Sequence, residues 1–411
     1  MNASADSQSP GPPNVILGVG AGIAAYKACE LLRLFTESGH RVRVIPTDDA
    51  LRFVGAPTWE ALSGQPVATG VWSDVPDVPH VRIGKNADLV VVAPATADLL
   101  ARAAHGLASD LLTNTLLTAR CPLVFAPAMH TEMWLHPATQ ASVATLRERG
   151  AVVIEPASGR LTGADTGPGR LPDPGEIFFA ARRVLRRGAS GAGPDLAGRH
   201  LVVSSGGTRE FLDPVRFLGN RSSGRQGHAF ARTAVARGAR VTLVTSADLP
   251  DPAGAEVVRV TSARDMHDAM RTAASTADAL VMAAAVADFR PAAYQDHKIK
   301  KSGAEPDPIG LTLNPDILAE LSAHRPRPGQ VVVGFAAETH DVAENAAVKL
   351  KKKGCDLLVV NQVGDGMGFE TADNAAVVIS PDADPVPIPY GPKEDLADAV
   401  WDLVAARLLR A

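Results

Sequence analysis

Two long stretches of the chain alternate short apolar runs with amphipathic ones, and both begin the same way. Asn14-Val15-Ile16-Leu17-Gly18-Val19-Gly20-Ala21-Gly22 and His200-Leu201-Val202-Val203-Ser204-Ser205-Gly206-Gly207-Thr208 each run apolar and then break into a glycine-rich turn. That is the pattern of a strand feeding a phosphate-binding loop. Between the two stretches, residues 185–194 hold small residues, a proline and no large apolar group after Leu185. Such a segment buries too little to offset the entropy of ordering it. The pattern predicts a disordered tail at 1–13, a first domain at 14–187, a linker at 188–197 and a second domain at 198–411.

Within the first stretch, near-continuous apolar runs at 15–18, 41–45, 88–93, 122–126 and 151–155 read as strands, and helical spacing predicts helices at 23–37 and 107–119. In the second, strands are expected at 201–204, 241–244, 279–284, 331–334 and 356–360, with helices at 227–237 and 344–353 between them. Strands alternating with helices give an α/β fold: two doubly wound, Rossmann-like parallel sheets. Ligands then sit outside the carboxyl ends of the strands.

Bulk properties narrow the function. A chain of 411 residues suits two domains, and a net charge of −4 with 4% aromatic residues offers no electrostatic or stacking surface for nucleic acid. No apolar run is long enough for a membrane span, and the start lacks the pattern of a signal peptide. Cys29, Cys121 and Cys355 are widely spaced and odd in number, as in a cytoplasmic protein with reduced thiols. Lysine is scarce, and seven of the ten lysines fall in two knots, Lys298/Lys300/Lys301 and Lys349/Lys351/Lys352/Lys353. Clustered ammonium groups suit polyphosphate, and they equally suit solvated helix ends.

Candidate chemistry collects at the strand ends. Gly18, Gly20 and Gly22 allow backbone N–H groups to approach a phosphate. Thr47 stands where a dinucleotide fold places an acidic ribose partner, which disfavours NAD. His80 lies in a loop rich in Asp and Pro, where a histidine is usually only solvated. Residues 127–134 suit a pocket rim, and the spacing of His130, Glu132 and His136 matches no common zinc motif. Residues 158–170, with four glycines, read either as a mobile flap or as an ordinary loop. Gly206-Gly207-Thr208 lacks the ending of an ATPase P-loop. Asn220 among serines ahead of a helix suits an anion. Asp288 closes the central strand, where it suits a nucleotide, its metal ion or a turn cap.

Several of these segments in order carry a resemblance. Gly18–Lys27, Ala93-Pro94-Ala95-Thr96-Ala97-Asp98-Leu99, Gly106–Leu111, Pro127-Ala128-Met129 with Met133-Trp134, and Gly167-Pro168-Gly169-Arg170 resemble the flavin-containing cysteine decarboxylases. With Lys298-Ile299-Lys300-Lys301, Asn314-Pro315-Asp316-Ile317, Gly334–Glu338 and Asn361, all but the tail resembles the bacterial bifunctional phosphopantothenoylcysteine decarboxylase/phosphopantothenate–cysteine ligases of coenzyme A synthesis.

The resemblance implies FMN held by Gly18, Gly20, Gly22, Thr47, Ala93, Thr96, Ser109 and Asp110, with His80 catalytic. The flavin would oxidise the substrate thiol to a thioaldehyde that accepts the electrons released with CO2. Two departures stand out. His130 replaces the asparagine that grips the substrate carboxylate, and the position of the flap cysteine that donates a proton falls at Gly163. Asp165, Thr162, a solvent proton or a neighbouring subunit are the substitutes. In the second domain the resemblance implies CTP bound by Met282, Ala283, Ala284, Asp288, Asn314, Pro315, Asp316, Ile317, Phe335, Lys349 and Lys353. Lys298 would touch phosphates and the activated acyl group, Asn220 would assist turnover of the acyl-cytidylate, and Asp288 would hold Mg2+. The implied substrates are 4′-phosphopantothenate, cysteine and CTP, and the implied assembly is a homo-oligomer, a dodecamer built from trimers of one domain and dimers of the other.

Overall fold

Parallel pairing organises the chain twice over. The computed structural model describes residues 11–67, 79–160, 165–191, 193–300, 308–338, 342–362 and 373–410. The chain divides into two units, Met1–Gly193 and Pro194–Ala411.

In the first unit, β1 (Asn14–Val19), β2 (Arg41–Pro46), β3 (Leu89–Ala95), β4 (Leu123–Pro127) and β5 (Val152–Val153) form a sheet of order β2-β1-β3-β4-β5. Every pair in it is parallel. Strand order reverses between β1 and β3, which marks the crevice where such folds bind ligands. Both faces are covered: Val15, Leu17 and Val19 pack with Leu31, Leu32 and Phe35, while Ile16, Val90 and Val92 pack with Leu99 and Leu112. This two-sided burial is why the strands read as unbroken apolar runs. An antiparallel hairpin, β6 (Ala157–Arg160) and β7 (Thr166–Arg170), follows the sheet.

The second unit contains β8 (His200–Ser205), β9 (Arg209–Phe211), β10 (Phe217–Gly219), β11 (Arg240–Thr245), β12 (Ala255–Arg259), β13 (Ala279–Met282), β14 (Phe289–Pro291), β15 (Leu311–Leu313), β16 (Val331–Glu338), β17 (Leu357–Gln362), β18 (Asp373–Ser380) and β19 (Ala383–Pro392). Its main sheet has the order β12-β11-β8-β13-β16-β17-β18-β19, and two short ribbons pair β9 with β10 and β14 with β15. The six parallel strands follow the dinucleotide-fold order, with the reversal between β8 and β13. To them the chain adds an antiparallel edge, β18 and β19. The outermost strand carries Pro385, Pro387 and Pro389.

Several sequence expectations are corrected. The first helix begins as a 3-10 turn, Ile23–Tyr26, before Lys27–Glu37. The helix expected at 107–119 is Leu111–Thr118, because Asp110 caps it through a reciprocal pair of hydrogen bonds with Thr113. The strand at 151–155 is reduced to Val152–Val153. Nor are residues 188–197 one slack linker. Helix Pro174–Gly191 continues past a kink at Gly188, and Leu196 is buried in the second unit's core. There Leu196 N–H donates to Arg237 O at 3.0 Å, and Asp195 pairs with the Arg237 guanidinium.

Candidate functional sites at two sheet edges

In the first unit the site is built at the ends of β1 and β3. Gly20 N–H donates to Pro94 O at 3.0 Å, and a Cβ at residue 20 would lie 2.4 Å from that oxygen. Only glycine allows this approach. Gly22, at φ 125°, turns the chain into the 3-10 helix. Gly18 abuts Leu112, whose side chain a Cβ there would meet at 2.5 Å. A turn with glycine at every second position, leading into a helical turn, fits the close approach of a flavin phosphate.

Thr47 N–H donates to Val19 O at 2.9 Å, beside the glycine turn. Ala93 is fully buried in β3, and Thr96 caps helix Ala97–His105 by accepting from Leu99 N–H. Arg102 donates to Ser109 Oγ at 3.0 Å and to Asp110 Oδ2 at 2.6 Å. Burial raises the Asp110 carboxyl, but hydrogen bonds from Thr113 and Arg102 outweigh it and hold the group below the usual range.

His80 is corrected from a loop residue to the second residue of helix Pro79–Lys85; its side chain lies outside the described residues. His130 precedes helix Thr131–Leu135, and its Nδ1 lies 4.0 Å from Asp165 Oδ2, both groups exposed to solvent. The hairpin brings them together: Met129 N–H donates to Gly169 O at 2.9 Å, and Gly169 leaves no room for a Cβ against Met129 O. Residues 161–164, with Thr162 and Gly163, lie outside the described residues.

The second unit holds a cavity of about 900 Å3 lined by the carboxyl end of β13 and by Phe335 of β16. Met282, Ala283, Ala284, Asp288, Asn314, Pro315, Asp316, Ile317, Phe335, Lys349 and Lys353 all line it, and so does Asn220. Ser204 Oγ accepts from Ala284 N–H, and Thr208 Oγ1 accepts from Ala287 N–H, so β8 and the loop after it fix the loop after β13. Asn220 Nδ2 donates to Val286 O at 2.9 Å, drawing the serine-rich loop over this floor. Asn314 ties the far wall through Ala287 O at 2.9 Å. Asp316 caps helix Ile317–Ala323 and accepts from Lys353 Nζ at 2.5 Å.

Lys298 is the exception among the expected residues. It is exposed and does not line the cavity. Its neighbour Ile299 is held elsewhere, with N–H donating to Asp213 Oδ2 at 3.1 Å and the carbonyl accepting from Arg216. Asp288 is exposed at the cavity wall, and no group of three or more His, Cys, Asp or Glu able to hold a metal occurs among the described residues. A single carboxylate at a cavity wall is compatible with Mg2+, an ion that keeps several waters and needs few protein ligands. Sequence reasoning missed Asn374 and Lys393, which also line the cavity. Lys393 stands alone in the sequence, outside the two lysine knots.

Two family models match the chain. "Flavoprotein" covers residues 3–185, and "DNA/pantothenate metabolism flavoprotein C-terminal domain" covers 196–408. The coenzyme A biosynthesis bifunctional protein CoaBC of Mycobacterium bovis is 59% identical over 408 residues, covering 97% of each chain. The protein of that name from Bacillus subtilis is 40% identical over 402 residues, covering 96% of this chain and 97% of its own. A crystal structure of the C-terminal domain of a CoaBC protein is 32% identical and covers 53% of this chain and 100% of that one, with a TM-score of 0.45.

Proposed function

The chain belongs to the family of coenzyme A biosynthesis bifunctional proteins, an enzyme family with a flavoprotein decarboxylase domain and a ligase domain, and from that premise we propose how its two sites divide the work. The C-terminal domain joins 4′-phosphopantothenate to cysteine at the expense of CTP. The N-terminal domain, with FMN, decarboxylates phosphopantothenoylcysteine to 4′-phosphopantetheine.

The observation that carries the ligase reading is the cavity, where the asparagine loop, the loop after β13 and the Asp316–Lys353 pair meet. A carboxylate is a poor electrophile. Attack of its oxygen on the α-phosphorus of CTP expels pyrophosphate and leaves an acyl-cytidylate. The cysteine amine then attacks the acyl carbon, CMP departs and an amide remains. Lys349 and Lys353 offset phosphate charge, Asp288 supplies a carboxylate for Mg2+, and Asn220 holds the loop over the reacting centre. Lys298 acts in this reading only when its exposed segment reaches the cavity.

In the first domain, FMN bound at the Gly18–Gly22 turn supplies the redox couple of the decarboxylation. His80 serves as the acid–base group, and His130 donates to the substrate carboxylate as an amide would. Asp165, beside His130, is the proton donor in place of a flap cysteine. Exposed Phe211, Phe217, Phe289, Leu311 and Leu313 lie on the two ribbons, a surface that supports assembly with a second copy. Three free cysteines suit a reducing cytoplasm.

The test is to incubate the full chain with 4′-phosphopantothenate, cysteine, Mg2+ and each nucleoside triphosphate in turn, following products by mass. CTP-dependent phosphopantothenoylcysteine, then its decarboxylated product, is the expected result. Amide formation without CO2 release would remove the decarboxylase assignment and leave a flavin-binding scaffold.

A further inference from the structure

The final helix, Lys393–Leu408, opens with a lysine that is 4% exposed and yet lines the ligase cavity. Three elements converge on it. Gln226, in the first turn of helix Arg225–Ala236, donates from Nε2 to Lys393 O at 3.0 Å. Asn374 of β18 reaches the Gln226 side-chain oxygen at 3.4 Å. Farther along helix Arg225–Ala236, Arg232 pairs at 3.2 Å with Glu394, the residue that follows Lys393. The corner is therefore tied to the start of helix Arg225–Ala236, whose first residue, Arg225, also lines the cavity.

An ammonium has three donors to satisfy. Lys393 Nζ donates to Asp373 O at 3.2 Å, its one hydrogen bond to a described residue, and that partner is a backbone carbonyl. Burial pushes its pKa down and the Arg225 charge adds to this, against the attraction of Asp373 and Glu394. The positive end of a helix of twelve residues points into the same corner. A buried cation so placed is under-compensated by the protein alone, and a multi-oxygen anion corrects that. Lys353, by contrast, already has the Asp316 carboxylate.

We propose that Lys393, together with Arg225 and the start of helix Arg225–Ala236, binds a substrate phosphate in the ligase cavity. The proposal rests on the reading of this domain as a ligase for phosphorylated substrates. Two ligands share that chemistry, CTP and 4′-phosphopantothenate, and calorimetry on the full chain separates them. CTP, 4′-phosphopantothenate and phosphate-free cytidine are each titrated into wild type and Lys393→Met.

Weakening of one or both phosphorylated ligands by about tenfold or more, the scale of one charge-assisted hydrogen bond, with cytidine unchanged, is the expected result. The ligand that weakens identifies the phosphate held. Lys393→Arg should recover most of the loss. Unchanged affinity for both phosphorylated ligands would overturn the proposal, as would equal weakening of cytidine and CTP, which marks a collapsed cavity. A wild type that binds neither phosphorylated ligand would sink the ligase reading itself, a result distinct from any seen in the variant. If Lys393→Met does not fold, Lys393→Gln, whose amide still donates to Asp373 O, carries the same comparison.

Discussion

The Asp316 carboxylate and the Lys353 ammonium lie 2.5 Å apart, joining the start of one cavity-lining helix to the end of another. Burial raises the Asp316 pKa, but hydrogen bonds from Lys353 and Ala319 N–H and the charges of Lys353 and Lys352 bring it below the usual 3.8. A depressed carboxyl contributes stability that is fully present above its unfolded pKa and is lost as pH falls through the folded one. The melting-temperature advantage of wild type over Asp316→Asn should therefore be flat from neutral pH to about 5 and shrink below about 4. An advantage that grows on acidification would contradict this linkage.

Gly20→Ala places a methyl group against Pro94 O, a backbone atom that cannot rotate away. The expected cost is about 1–3 kcal/mol, accompanied by loss of bound flavin. Denaturant melts and flavin absorbance per mole of protein check both halves. Retention of flavin at wild-type stability would show that the turn yields.

Arg237 is fully buried and meets three carboxylates: Asp195 at 2.5 Å, Asp402 at 3.0 Å and Asp398 at 3.4 Å. Asp398 is itself only 1% exposed. Arg237→Met would strand that buried charge and should destabilise the second unit by about 3–5 kcal/mol, read from urea unfolding. A change of under about 1 kcal/mol would mean that water reaches the carboxylates.

Burial pushes the Cys355 thiol up to about 11, outweighing a hydrogen bond from Gly334 that pulls it down. At neutral pH it is a poor nucleophile. Native protein treated briefly with iodoacetamide should leave Cys355 unmodified by peptide mass, with the half-buried Cys29 and Cys121 alkylated first.

What the sequence made legible follows from what kind of signal each feature leaves. β1, β3, β8 and β13 are covered on both faces, so their apolar runs stand out. β18 and β19 leave no such run, because an antiparallel edge alternates and prolines interrupt it. The apolar pattern overextends helix Leu111–Thr118 because Leu107 continues it, whereas the cap is set by Asp110. The cavity residues between Met282 and Ile317 lie within recognisable motifs. Lys393 does not, since it arrives from the far end of the chain and joins them only through packing. Lys298 shows the converse, a residue marked by its motif that the fold leaves exposed.

The outermost strand of the larger sheet carries Pro385, Pro387 and Pro389, residues with no amide hydrogen to offer a newcomer. That margin is closed to extension by backbone pairing. At that edge a second copy or a misfolded neighbour finds no unbroken row of amide donors to pair with.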